Sequence, residues 1–273
     1  MRIEFLRDQH VSDLLSWGSL ENAIIGQSNI VQQMQSLQKE RKLCATGIEC
    51  LDRILGGGVP VGHVVLVIGA SGTGKTTLSL EFLIRGAIAS EKGIFVSTVS
   101  PVEKILSSID RFDFFDRKML EDGRLNILHI DAFESSIGDA LILDSLEKGM
   151  RLADLIGDKI RKINASRLVI DSFSSFSGQS NGVPIGPKVL SRLSSILFEA
   201  KCTAMVTADE LKGSELAVAD GVILMGDFER RGDLLRTMQV IKMRGVDHSR
   251  SRYVIDLTSC GVLATPLLRG GSR

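Results

Sequence analysis

The chain has 273 residues, which is enough for one large domain or for one ordinary domain with an extension. Its 33 Lys and Arg residues balance its 33 Asp and Glu residues, so the net charge is zero and a surface devoted to nucleic acid is not expected. No apolar run reaches the roughly 18 to 20 residues that cross a bilayer, and the first residues lack the apolar core of a signal peptide. These features predict a cytoplasmic protein without a membrane span.

Residues 1–42 differ in composition from the rest and are rich in Gln, Ser and Asn. Apolar residues at helical spacing, Ile30, Val31, Met34 and Leu37, predict a helical extension or arm. This helix either docks on a protein partner or neighbouring subunit, or packs on its own domain; the sequence leaves both open. We interpret residues 43–268 as one domain and residues 269–273 as a flexible tail.

A nucleotide-binding motif follows an apolar run. Residues 64–68 form a buried-strand pattern, and residues 77–89 form a helical one. The residues between them match the G-x-x-x-x-G-K-[ST] pattern of a P-loop: Gly69, Ala70, Ser71, Gly72, Thr73, Gly74, Lys75 and Thr76. Backbone N–H groups and the helix N-terminus surround phosphates in such a loop. We therefore expect residues 69–77, including Thr77, to bind a nucleotide, with Lys75 on its phosphates and Thr76 on Mg²⁺.

The residues before the P-loop extend this motif. The stretch 45–77 resembles the start of the KaiC and RecA/RadA group of ATPases, in which T-G-[IV]-x-x-[LF]-D, a GG-[LV]-P-x-G turn and the P-loop follow in that order. The matching positions are Thr46, Gly47, Leu51, Asp52, Gly57, Gly58, Pro60 and Gly62. The resemblance covers residues 46–267, with a final strand at 252–258, and implies a single KaiC-like domain that binds ATP and Mg²⁺.

The order of the elements predicts an α/β domain, because apolar strand patterns alternate with helical ones along the chain. The resemblance implies a RecA-like P-loop core. In such a core a mainly parallel central sheet is flanked by helices, and antiparallel strands lie at the C-terminal end.

The second predicted strand, residues 93–98, departs from the family pattern. A catalytic glutamate usually stands at its end in this group, whereas this chain has Ser-Thr-Val-Ser at positions 97–100. The nearest acid, Glu103, fits a capping box with Ser100, with Pro101 at the first helical position, and we favour that role over a catalytic one. Because positioned acid-base groups typically contribute about a hundredfold to ten-thousandfold, hydrolysis is predicted to be weak.

Two further strand ends carry acids. Residues 168–171 form an apolar strand ending in Asp171, typical of a Walker B segment that holds Mg²⁺ beside Thr76. The loop 174–187 that follows contains no Lys or Arg, which disfavours contact with DNA. Asp209 and Glu210 follow the strand 203–208, near where the family has polar residues that sense the γ phosphate. A solvated acidic loop explains these two residues equally well.

A pair of cations ends the predicted strand 236–244. Lys242 and Arg244 share one face of such a strand and Met243 lies on the other; alone, this is typical of a solvated edge strand. With His248, however, the segment resembles the K-[LM]-R-G segment of KaiC-type domains, whose cations reach the nucleotide of the adjacent subunit. The resemblance implies that Lys242, Arg244 and His248 bind ATP in trans within a homo-oligomer, a hexameric ring.

Two hypotheses for function follow. The first is a weak ATPase with Lys75 and Arg244 as catalytic residues, in which another acid or a water network replaces the lost glutamate. The second is a non-hydrolysing, ATP-gated scaffold, similar in this respect to the ATP-binding component of the archaeal flagellar motor. A RadA-like DNA-binding recombination protein is disfavoured by the zero net charge and by the loop without basic residues.

Overall fold

The computed structural model describes residues 42–134, 145–176, 179–180, 183–210 and 213–267. The predicted N-terminal helix and the C-terminal tail lie outside these residues, as does part of the loop 174–187. Within them, no helix combines the length and the apolar character that crossing a membrane requires.

Thirteen strands occur in the described ranges. In chain order they are β1 (Leu43–Cys44), β2 (Val59–Pro60), β3 (Val64–Ile68), β4 (Gly93–Ser97), β5 (Leu125–His129), β6 (Arg167–Asp171), β7 (Gln179–Ser180), β8 (Val183–Pro184), β9 (Thr203–Ala208), β10 (Gly221–Arg230), β11 (Asp233–Met243), β12 (Arg252–Thr258) and β13 (Gly261–Pro266). The helices are α1 (Glu49–Ile54), α2 (Lys75–Ile88), α3 (Val102–Ile109), α4 (Lys118–Glu121), α5 (Asp131–Glu134), α6 (Ser145–Ile163), α7 (Gly186–Ala200) and α8 (Gly213–Val218), with a 3₁₀ turn at Phe173–Phe176.

Nine strands form one sheet in the order β13-β12-β11-β10-β3-β9-β6-β4-β5. The strands from β5 to β10 in this order run parallel to their neighbours. The last three strands of the chain add to β10 as antiparallel neighbours. This arrangement confirms the predicted fold class, a RecA-like core with a mainly parallel sheet and antiparallel C-terminal strands.

The core lies on both faces of this sheet. Because successive side chains of a strand point to opposite faces, β3 sends Val65 and Val67 to one cluster and Val64 and Leu66 to the other. Helices α1 to α4 cover the first face and helices α6 and α7 cover the second. The P-loop helix α2 is thus held on one face of the sheet, directly after the central strand.

The predicted capping box is wrong. Helix α3 starts at Val102 with Pro101 as its N-cap, and no side chain caps it. The backbone N–H of Ser100, which the capping box assigned to Glu103, donates instead to the Ser97 hydroxyl at 3.0 Å. The hydroxyl at the end of β4 therefore replaces the glutamate as a partner, and Glu103 is exposed.

Two other predictions, the final strand at 252–258 and the loop 174–187, differ from the structure. The predicted final strand, β12, is followed by a further strand, β13, which pairs with β12 from Tyr253 to Thr258. The predicted loop 174–187 contains the end of the 3₁₀ turn, the short pair β7–β8, and the start of α7 at Gly186. In both places the elements are short and contain Gly, Pro or Ser, so apolar periodicity did not predict them.

Candidate nucleotide-binding site

The P-loop connects β3 to α2 through a turn that only glycine fits at two positions. Gly74 caps α2 with φ at 101°, in the left-handed region, and a Cβ there would lie 2.7 Å from Leu257. At Gly69 a Cβ would lie 2.2 Å from the Met225 carbonyl oxygen of β10. Thr73 is buried and its hydroxyl donates to the Ala70 carbonyl at 2.8 Å. These contacts shape the loop, and the first N–H groups of α2 are left free of helical partners.

Lys75 is buried at the start of α2, and its ammonium is fully occupied. The Nζ atom donates to the carbonyl oxygens of Gly69 at 2.6 Å and Ala70 at 3.0 Å. It also forms an ion pair with Asp209, with 2.8 Å between Nζ and Oδ1. The side chain of Lys75 is 8% exposed, whereas that of Asp209 is 63% exposed. The ammonium is therefore aimed at the mouth of the P-loop, where phosphates would bind.

Asp171, the last residue of β6, lies beside the hydroxyl group of Thr76 in the P-loop. The Thr76 hydroxyl donates to Asp171 Oδ2 at 2.8 Å. The other carboxylate oxygen accepts a short hydrogen bond from Thr207 on the neighbouring strand β9. Since β9 lies between β3 and β6, it holds the carboxylate in a fixed orientation toward Thr76.

The end of β4 offers hydroxyl groups that are already bound to the main chain. The Ser97 hydroxyl donates to the Ser100 carbonyl at 2.6 Å. The Thr98 hydroxyl donates to the Ser172 carbonyl and accepts from the Ser172 N–H, both at 2.9 Å. Val99 is 72% exposed and lines the cleft. No carboxylate stands at this strand end, so the wall is uncharged where the family usually has its acid.

These elements surround an open cleft of about 460 Å³ at the carboxyl ends of β3, β6 and β9. The described residues that line it are Ser71, Gly72, Gly74, Lys75, Thr76, Thr77, Val99, Ser100, Arg111, Asp171, Ser172, Asp209, Arg236 and Leu257. Ligands of open α/β sheets bind at this edge. Three cations face two carboxylates in the cleft, which favours a polyanionic ligand.

Arg111 and Arg236 are cleft residues that the sequence did not indicate. Arg236 lies on β11, and its Nε donates to the Gly72 carbonyl at 3.1 Å. Arg111 follows α3 and also lines an adjoining cavity of about 100 Å³ with Ser108 and Phe112. Both side chains come from elements distant in the chain from the P-loop, so no local pattern marked them. The alternation of side chains along β11 assigns Arg236 to one face of the strand. Its contact with Gly72 depends on the sheet order, in which only β10 separates β11 from β3, the strand before the P-loop.

The three residues expected to act in trans lie away from this cleft. Lys242 Nζ donates to the carbonyl oxygens of Leu216, Ala217 and Ala219, at 3.1, 3.2 and 2.6 Å. Burial lowers the pKa of Lys242, and the nearby Arg244 charge lowers it further. None of Lys242, Arg244 and His248 belongs to the described lining of the cleft.

Arg244 binds the same helix end. It donates to Ala217 at 2.9 Å and Val218 at 3.3 Å and pairs with Asp220 at 3.4 Å. Cations at the C-terminus of a helix satisfy its free carbonyl groups, so both side chains cap α8 in their own chain. The Nε2 atom of His248 is buried without a hydrogen-bond partner among the described residues.

Comparison with known proteins agrees with the motifs. The family model described as "ATPase: KaiC" matches residues 44–268. A UPF0273 protein of Methanocaldococcus jannaschii is 32% identical over 239 residues, covering 82% of this chain and 97% of the relative. A UPF0273 protein of Pyrococcus furiosus is 31% identical over 234 residues, covering 81% of this chain and 93% of the relative.

The circadian clock oscillator protein KaiC of a Nostoc species is 31% identical over 235 residues, covering 81% of this chain. This chain spans only 44% of the length of that relative. Among solved structures, a KaiC-like protein of Pyrococcus horikoshii superposes with a TM-score of 0.69 at 28% identity, covering 82% of this chain and 99% of the other. The fold and the cleft define a RecA-superfamily P-loop nucleotide-binding protein. Within that class, the chain belongs to the KaiC family of ATP-binding ATPases.

Proposed function

We propose that the protein binds Mg-ATP in the P-loop cleft and hydrolyses it weakly. One observation carries this proposal: residues of the kinds that bind phosphate and Mg²⁺ line a cleft whose wall at the end of β4 has no carboxylate. Lys75, Thr76 and Asp171 converge on the cleft, while the hydroxyls of Ser97 and Thr98 are bound to the main chain. A missing water-positioning group costs about a hundredfold to ten-thousandfold in rate but need not weaken binding.

The residues present fit Mg²⁺. Thr76 and Asp171 offer a hydroxyl and a carboxylate 2.8 Å apart, and Mg²⁺ prefers oxygen ligands. Few protein ligands are needed, because Mg²⁺ in such sites is held largely by water and by the phosphates of the substrate. When bound, the ion neutralises charge on the phosphates. Thr207 keeps the Asp171 carboxylate oriented for this role.

We place the functional site at an interface between subunits of a homo-oligomer, a hexameric ring. The family motif suggests that Lys242, Arg244 and His248 contact the neighbour's ATP, and Arg244 then acts as an arginine finger. Their position outside the cleft of their own chain supports this assignment. Since both cations bind carbonyl groups of α8, they exchange those bonds for phosphate oxygens when a neighbour docks.

The second candidate is an ATP-gated scaffold that does not hydrolyse. It is favoured by the uncharged wall at the end of β4, where Val99 and Ser100 line the cleft. In this case ATP occupancy controls a protein partner, and residues 1–42 are the expected docking segment. The zero net charge and the loop 174–187 without Lys or Arg disfavour a nucleic acid partner.

ATP turnover and ATP binding, measured on the same samples at saturating Mg-ATP, test the proposal. We expect binding together with a turnover below about 0.1 s⁻¹, a hundredfold under the typical enzyme value of about 10 s⁻¹. Lys75→Ala is the control for a contaminating ATPase, and light scattering with and without Mg-ATP reports the oligomeric state. Binding without turnover favours the scaffold, and failure to bind ATP contradicts both candidates.

A further inference from the structure

Three consecutive residues, two at the end of β9 and one just after it, contact Asp171, the P-loop backbone and Lys75 in the proposed ATP site. Thr207 donates to the Walker B acid, and the Ala208 carbonyl accepts from the Gly69 N–H at 3.2 Å. Asp209 pairs with Lys75 at 2.8 Å. Strand β9 is the neighbour of both β3 and β6, so its end lies between the phosphate-binding loop and the metal-binding acid.

We propose that Asp209 is the catalytic carboxylate that orients the attacking water, in place of the acid missing at the end of β4. This inference rests on the proposed ATP binding in the cleft. In the structure, the Asp209 carboxylate forms an ion pair with Lys75. When phosphates bind Lys75, the Asp209 carboxylate is released beside the γ phosphate rather than removed from the site.

The different exposure of the Lys75 and Asp209 side chains supports the replacement of Asp209 by phosphate as the partner of Lys75. Lys75 is fixed by the carbonyl groups of Gly69 and Ala70, whereas the Asp209 side chain is 63% exposed and meets no other described hydrogen-bond donor. Phosphate oxygens carry more negative charge than one carboxylate and are better partners for the ammonium. Asp209 therefore gives way, and a short rotation about its side-chain bonds leaves it at the rim of the phosphate site.

No other described acid in the cleft is free for this role. Asp171 is committed to Thr76 and Thr207. Glu103 and Glu210 are exposed and do not belong to the described lining. Arg111 and Arg236 are cations, which stabilise phosphate charge but do not accept a proton from water. Among the described residues that line the cleft, Asp209 is thus the one carboxylate not assigned to the metal.

The reaction step that Asp209 serves is ordinary hydrolysis. The water oxygen forms a bond to the γ phosphorus while the bond from that phosphorus to the bridging oxygen breaks. The electron pair of the broken bond stays on the bridging oxygen, which becomes a terminal oxygen of ADP. Asp209 accepts the hydrogen bond of the water, takes up its proton as the new bond forms, and returns it to the departing phosphate.

This role also accounts for weak turnover. A carboxylate that must first leave Lys75 is not preorganised, and orientation is the main contribution of such a group. An aspartate at the exposed rim also holds the water less rigidly than a buried acid would. The ion pair between Asp209 and Lys75 thus provides a physical reason for the slow turnover that we propose.

The test compares Asp209→Asn with the parent protein, by phosphate release and by ATP binding at saturating Mg²⁺. We expect turnover to fall about a hundredfold or more. Binding should be no weaker, because Asn competes less well for Lys75. Asp209→Glu keeps a carboxylate and should retain part of the turnover. Asp158→Asn, at an exposed site on α6, is the matched control and should behave as the parent does.

Several outcomes overturn the inference. Turnover that is unchanged or higher in Asp209→Asn would make Asp209 only a competitor for Lys75. Loss of ATP binding in this variant would make it a support of the P-loop. A parent protein that binds ATP without turnover overturns the catalytic role but leaves ATP binding intact, whereas a parent that does not bind ATP overturns the proposed function itself.

Discussion

The P-loop cleft and the cationic end of β11 both carry sequence motifs, but only the residues of the P-loop motif line an open cavity within the single chain. In the cleft, Lys75, Thr76 and Asp171 face an open cavity. At the end of β11, Lys242 and Arg244 face the carbonyl groups of α8 instead. All these cations bind backbone carbonyl groups, so the difference lies in their position: Lys75 lines a cavity that can hold a ligand, whereas Lys242 and Arg244 lie against a helix end.

The largest expected effect is a loss of ATP turnover when either region is mutated, with recovery when the two mutations lie in different subunits. If Arg244 acts on the neighbour's ATP, Arg244→Ala should lower turnover about a thousandfold, as removal of an arginine finger does. Lys75→Ala should also be inactive. Mixing the two variants should restore turnover, since mixed oligomers contain interfaces at which an intact cleft meets an intact Arg244. Phosphate release measured after mixing reports the recovery.

Arg252→Ala is the matched control for this experiment, because Arg252 is an exposed cation on the adjacent strand β12. It should keep the turnover of the parent protein. Absence of recovery in mixtures that do form hetero-oligomers would show that Arg244 serves its own chain, as a cap of α8. The cationic end of β11 would then stabilise the fold and would not take part in ATP binding.

A smaller effect is expected at Arg111, which belongs to the cleft but not to any motif. Arg111 lines both the cleft and the adjoining cavity. A hydrogen bond to a charged group contributes about 1.5 to 3 kcal/mol, so Arg111→Gln should weaken ATP binding about tenfold to a hundredfold. Titration with a fluorescent nucleotide measures the change, and added salt should reduce the difference.

Arg117→Gln provides the comparison for Arg111. Arg117 is exposed and pairs with Asp110 outside the described lining of the cleft, at 2.8 Å. Its replacement should leave ATP affinity unaltered. Equal affinities for the parent and Arg111→Gln would place the nucleotide away from the end of α3.

Local patterns predicted the P-loop and most strands of the large sheet, although not β10 or β13, because such patterns depend on residues that are neighbours in the chain. The groups that complete the cleft depend on sheet order instead. Lys75 and Asp209 are 134 residues apart, and nothing near either residue predicts their contact. The capping box at Ser100 failed for a different, local reason, because the hydroxyl of Ser97 accepts the hydrogen bond of the Ser100 N–H group.

The last expected effect concerns Glu81, which joins the P-loop helix to the C-terminal strands. Its carboxylate accepts from the Val262 N–H of β13 at 2.7 Å and from Arg85 at 3.1 Å. Burial raises the pKa of Glu81 above its ordinary value, against the opposing effect of these donors. The folded protein therefore holds the proton at a pH where the unfolded chain has lost it, and Glu81 contributes less stability as the pH rises through its folded pKa.

In the Glu81→Gln variant the side chain at position 81 is uncharged at every pH. The difference in free energy of unfolding between the variant and the parent should therefore change with pH. The amide presents a donor to one of the two N–H partners, which should cost about 1 to 3 kcal/mol under acidic conditions. That deficit should narrow from acidic to neutral pH, because the parent loses its advantage as the pH rises through the raised pKa of Glu81. Urea unfolding at acidic and at neutral pH measures the gap, and Glu199→Gln, at an exposed site of α7, should show no such trend. A deficit that widens with pH would mean that Arg85 and the Val262 N–H outweigh burial, and that the ionised Glu81 itself holds the P-loop helix to the C-terminal strands.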